Sequence, residues 1–200
     1  MGAAAGLVIL AAVLGWLLLG GGTEGAEAKA RTALESAGCT LKVVPAVTNA
    51  SDHSDVETPD AVVKTWNTDP PTSGPHFGET LIYGAYDEPV QLARVLHNLE
   101  HGAVTIFYGK DVPAATVEQL RAFYNDHEAG TILAPYEKLG NEIALGAWVD
   151  PGLESAKSER GSGVQAKCTS FDEGAYSAFL DAFQFKGPER LPADSMLPGN

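Results

Sequence analysis

The run Arg94-Val95-Leu96-His97-Asn98-Leu99-Glu100-His101-Gly102 holds two imidazoles four residues apart. On an α-helix that spacing brings side chains to one face with Cβ atoms roughly 5–6 Å apart, so both rings can reach one metal ion. A third histidine, His76, closes the loop Pro70-Pro71-Thr72-Ser73-Gly74-Pro75-His76. Three nitrogen donors nearly complete a transition-metal site. Pro70 and Pro71 stiffen the approach and Pro75 biases Gly74 away from helical geometry, so the loop would present His76 with little entropy left to lose.

Glu100 opens a second reading. His-x-x-Glu-His is also the pattern of inverted zinc peptidases, with two histidine ligands and a glutamate general base. Such a site needs a third protein ligand and an open position for water. Alternatively, Glu100 would orient a ligating imidazole. His53 and Met196, the latter the only methionine besides Met1, extend the candidate set. A thioether beside imidazoles selects copper, whereas zinc accepts histidine alone or histidine with carboxylate. Plainer readings stand beside these: histidines at a helix end interact with the macrodipole, proline-rich turns shape connections, and Met196 would plug a gap in a Pro/Gly-rich tail. His127 reads as a surface residue.

The elements that must position these groups follow from periodicity. A helix is expected from Glu88 to His101, with Pro89 in its first turn and Gly102 just past its end. Leu92, Val95, Leu96 and Leu99 form its buried stripe, and His97 and His101 project to the opposite side. Leu41–Val44, Ala61–Trp66, Val104–Tyr108, Thr131–Pro135 and Glu142–Val149 read as strands. Lys29–Ala37, Ala114–Asp126 and Phe171–Phe185 read as helices, and Asp150–Lys167 as a polar loop. From Ala61 onward the order is β-α-β-α-β-β-α, an α+β domain with the element order of a thioredoxin-like core. The His76 loop then falls where a redox motif would lie, but no C-x-x-C is present, so dithiol chemistry is not expected there.

Two hundred residues accommodate one domain and an N-terminal appendage. Residues 1–22 read as a transmembrane or signal-anchor helix, 23–38 as a stem and short helix, and 39–200 as an extracytoplasmic α+β domain. Gly2 to Gly22 carries no charged side chain and is about the length of a bilayer span. No Lys or Arg precedes it to set its orientation, and Ala26-Glu27-Ala28 is an alternative signal-peptidase site. Cys39 and Cys168 are the only cysteines; in an exported domain an even pair is expected as a disulfide, two free thiols being the alternative. The 26 acidic against 13 basic residues give a net charge of −13, which argues against nucleic acid and anionic headgroups as partners and in favour of cations.

The motifs Pro-Pro-Thr-Ser-Gly-Pro-His76, Tyr83-Gly-Ala-Tyr86, His97-Asn-Leu-Glu-His-Gly102, Gly146-Ala-Trp148 and Gly187-Pro-Glu189 resemble the bacterial domain-of-unknown-function 3105 family, over roughly Cys39 to Met196. The resemblance implies a short membrane span followed by an extracytoplasmic domain. The family pattern falls on His76, His97, Glu100, His101 and the pair Cys39/Cys168, with His53 at the usual distance upstream. The expectation is a protein tethered to the bacterial cell membrane, its domain outside the cytoplasm, binding copper (alternatively zinc) through His76, His97 and His101 with His53 and Met196 as further donors. A zinc hydrolase using Glu100, and a non-catalytic accessory subunit bound to an envelope or membrane protein, are the alternatives.

Overall fold

The segment Ile143–Val149 is buried along its whole length, which a seven-residue strand achieves only inside a sheet covered on both faces. In the computed structural model, which describes residues 23–47, 53, 56–151 and 158–200, it is β5 of a six-stranded mixed sheet. The others are β1 (Thr40–Pro45), β2 (Gly84–Ala85), β3 (Val104–Tyr108), β4 (Thr131–Pro135) and β6 (Ser162–Cys168), in the order β1-β6-β5-β3-β4-β2. β3 and β4 are parallel, as are β4 and β2; the other pairs are antiparallel. Four α-helices, α1 (Thr23–Ser36), α2 (Leu92–Glu100), α3 (Ala114–Asp126) and α4 (Glu173–Phe183), complete the α+β domain among the described residues.

Alternation along each strand divides the core in two. Val104, Ile106, Leu145, Ala147, Val164 and Ala166 face a layer formed by α1, α3 and α4. Phe107, Ile132, Ala144 and Trp148 face the other way, against Val95, Leu96 and Leu99 of α2. The Pro70–His76 loop shares this second side and lies on β5 and β6. A Cβ on Gly163 would sit 2.1 Å from Thr72 Oγ1, and one on Gly146 3.2 Å from Thr72 Cγ2. Gln165 Nε2 donates to Pro70 O at 2.8 Å. Asn67 Oδ1 accepts from the backbone N–H groups of Thr72 and Ser73, and Trp66 Nε1 donates to Pro75 O.

Four elements depart from the sequence expectation. Ala61–Trp66 is not a strand: Val62 is 79 % exposed and the segment forms turns, because β-branched content makes a strand only where a ladder partner exists. The second half of the expected loop Asp150–Lys167 is instead β6, whose Gly163 and Gln165 are shaped to the proline loop. A strand still precedes the histidine helix, but it is β2, after the His76 loop, and β6 is added before α4, so the order from β2 is β-α-β-α-β-β-β-α, with the His76 loop lying across the sheet face. The expected stem at Thr23–Ala28 is the start of α1, since an Ala/Glu-rich stretch is a strong helix former; Glu27 and Ala30 are buried there. The histidine helix begins at Leu92 with Gln91 as its N-cap, leaving Pro89 outside.

Cys39 and Cys168 form a disulfide at the outer end of the β1/β6 ladder, beside the Thr40–Lys167 pair. The apolar segment Gly2 to Gly22 lies outside the described residues, among which no helix is long and apolar enough to cross a membrane.

Candidate metal centre

The second side of the sheet carries the histidines because α2 lies there. At roughly 100° per residue, Glu100 falls at the border between the apolar stripe and the histidine face, and it is fully buried. The chain following His76 is fastened along α2. Asn98 Oδ1 accepts from Leu81 N–H at 2.9 Å and its Nδ2 donates to Leu81 O at 2.8 Å, while Phe77 N–H donates to Ala93 O. Arg94 adds an ion pair to Glu79 and lies over the Phe77 ring. These ties bring His76 from the loop onto the face opposite the apolar stripe.

The end of α2 is closed by a distant segment. Backbone N–H groups of Glu189, Leu191 and Phe185 donate to the carbonyls of Glu100, His101 and Gly102 respectively, satisfying acceptors that a helix end otherwise leaves orphaned. Gly187 packs so closely that a Cβ there would lie 2.2 Å from Glu100 O. Gly102 has φ +99° and occupies the expected position past the helix end.

Three imidazoles and one carboxylate meet at the centre. Ring centroids are 4.8 Å apart for His53 and His76, 4.6 Å for His53 and His97, and 5.1 Å for His76 and His97. One donor atom from each of His53, His76, His97 and Glu100 lies within 4.8 Å of every other. Glu100 Oε2 is 3.1 Å from His76 Nε2 and 3.6 Å from His53 Nε2. Two ligands bound at about 2.0–2.1 Å to one ion stand roughly 3–3.4 Å apart, so these separations already approach those of a coordination sphere. Trp148 backs His76 edge-on, its centroid 5.9 Å away, and His53 rests over Gly78.

Hydrogen bonding determines which nitrogens are free. His76 Nδ1–H donates to Gly74 O at 2.9 Å and His97 Nδ1–H to Phe77 O at 3.1 Å; a carbonyl only accepts, so each neutral ring keeps its Nε2 lone pair. Metal-ligating histidines are oriented in this way. His76 Nε2 stands 3.1 Å from Glu100 Oε2, a contact that either a proton on that nitrogen or a cation beside the pair satisfies. Among the described residues seven buried side-chain atoms lack a hydrogen-bond partner, and His53 Nε2, Glu100 Oε1 and His101 Nδ1 are three of them. Such a concentration is a candidate ion site. Burial, then the neighbouring rings of His101, His76 and His53, pushes His97 from 6.5 down to about 4. His101 is also pushed down, by burial foremost, against the opposing pull of Glu100 and Glu189.

The structure brings His76 and His97 together as expected from sequence, with His53, expected as a further donor, and Glu100 completing the group. His101, the C-cap of α2, stands beside His97 with ring centroids 4.6 Å apart, and its donor groups with Glu100 and Glu189 instead. Met196 is fully buried in the apolar cluster, its methyl against Gly130 and near Phe185; these are the surroundings of a packing residue, and the expected copper preference loses its sulfur donor. Glu100, expected as an orienting group or a base, lies among the donors themselves. His127 stacks on Phe123 and bonds its carbonyl, away from the centre. Sequence reasoning did not single out Glu189 or Asn98, although both lie within motifs whose regularity was visible.

Residues 60–195 match the model of a family described as protein of unknown function (DUF3105). The matched stretch contains His76, His97, Glu100, His101 and Glu189, and leaves out His53 and Met196. No curated protein matches the chain, and no solved structure does.

Proposed function

The chain belongs to the DUF3105 family, whose description names no activity, and we propose that it is a membrane-tethered, extracytoplasmic protein that binds a divalent transition-metal ion tightly through His53, His76, His97 and Glu100. One observation carries this reading: a fully buried carboxylate with an unpartnered oxygen faces imidazoles whose Nδ1–H groups are already committed to backbone carbonyls. A bound cation satisfies the carboxylate and the lone pairs together. The donor set of three imidazoles and a carboxylate suits Zn²⁺ and Cu²⁺. Cu²⁺ binds any such set more tightly, so supply in the native compartment decides between them. The tethering rests on the apolar N-terminal segment, and the exported location on the disulfide, which persists in oxidising compartments.

Binding is favoured over hydrolysis. A general base must face a metal-bound water, whereas Glu100 is wedged against His76 and closed off from solvent. The test is metal analysis of the protein from its native envelope, followed by competition titration with Zn²⁺ and Cu²⁺. The tight equivalent should be lost in His76→Ala and His97→Ala and kept in His127→Ala. Equal affinities in all three variants would refute the site.

A further inference from the structure

Glu100 belongs to two groups of donors at once. Besides the histidine cage, one donor atom from each of Glu100, His101 and Glu189 lies within 4.8 Å of the other two. His101 Nδ1 and Glu100 Oε1 are both buried without a hydrogen-bond partner, and Glu100 is fully buried. Glu189 is exposed, but its backbone is anchored by the bond from its N–H to Glu100 O at 3.0 Å. Two carboxylates thus converge with an imidazole at the C-terminal end of α2, where the helix dipole also favours positive charge.

A carboxylate has an oxygen for each of two ions, and ions bridged in two-metal sites stand roughly 3.5–4 Å apart. We propose that Glu100 bridges two cations: the inner ion of the His53/His76/His97 cage, on which this inference rests, and an outer divalent ion held by Glu100, His101 and Glu189. The two seats differ in character. The inner one draws on three imidazoles and is largely closed, whereas the outer one has a single imidazole, two carboxylates and a solvent-facing side. Three protein donors leave coordination positions for water or for a small anionic ligand. The outer ion therefore binds more weakly and exchanges faster.

Equilibrium dialysis of the full chain against Zn²⁺, with elemental analysis, counts the ions. Electron paramagnetic resonance after Cu²⁺ loading reports whether two ions are close enough to couple. Two equivalents of unequal affinity, with the weaker one reduced by about tenfold or more in His101→Ala and in Glu189→Gln and the tighter one retained, is the expected result. Glu189→Gln alters an exposed side chain and so reports even if His101→Ala perturbs the helix end. A coupled Cu²⁺ signal in the wild type that reverts to an isolated-ion signal in Glu189→Gln supports the bridge. A single equivalent, or a second one indifferent to both substitutions, overturns the outer seat and leaves the inner one standing. No tight equivalent at all overturns both.

Discussion

His97 is kept neutral by its surroundings, and this has a consequence for the metal-free protein. Its folded-state value of about 4 lies below the ordinary 6.5, so between those limits the unfolded chain takes up a proton that the folded chain refuses. Stability is complete above about pH 6.5 and falls as pH drops towards 4, by on the order of 3 kcal/mol at most. Urea midpoints of metal-free protein at pH 7.5, 5.5 and 4.5 should decline more steeply for the wild type than for His97→Gln; parallel declines would contradict the assignment. The spacing of His97 and His101 was legible in the sequence because it depends only on helical periodicity. Their division between two donor groups was not, since it depends on which groups the chain brings from residues 53, 76 and 189. Glu100 looked like an auxiliary group because a carboxylate at the edge of an apolar stripe is ordinarily solvated, and only the covering loop makes it buried.

At the level of elements, the proline loop and β6 are fitted to each other. Gly163→Ala would force a methyl group to within 2.1 Å of Thr72 Oγ1 and 2.4 Å of Asn67 Nδ2. It should cost about 1–3 kcal/mol of stability and weaken metal binding as the loop carrying His76 lifts. Gly25→Ala, in α1 with nothing within 4 Å, should instead raise stability by about 0.5–1 kcal/mol and leave binding untouched. Thermal unfolding and Zn²⁺ titration of the two variants test both signs; unchanged affinity in Gly163→Ala would separate the loop from the site. The same fit explains why β6 was read as a loop. Ser-Gly-Val-Gln-Ala-Lys-Cys lacks the bulky alternation of a strand because one of its faces receives a loop backbone, not side chains. The strands β3, β4 and β5 and the helix α3 were legible, because apolar residues there fill a core on a regular period.

Across the whole molecule, the disulfide and the candidate metal centre lie on opposite sides of the sheet. Cys39 and Cys168 pack in the apolar cluster beneath α1, α3 and α4, whereas α2 and its histidines occupy the other side. The bond spans 129 residues, which in the chain-entropy model contributes about 5 kcal/mol. Replacing both cysteines by Ser should therefore lower the unfolding midpoint substantially while the folded protein keeps its metal affinity. A large loss of affinity in protein that remains folded would show that the two sides are coupled. The closure of α2 by Phe185, Glu189 and Leu191 bears on how such a protein is born. A ribosome adding about 5–20 residues per second finishes the histidine run several seconds before it makes the peptide groups that complete the helix end. A nascent chain thus carries His97 and His101 before the groups that close their helix exist, and one terminated before Phe185 never acquires them. If the centre holds an ion as proposed, a chain truncated before Phe185, with the end of α2 left open, should therefore bind it more weakly than the full chain.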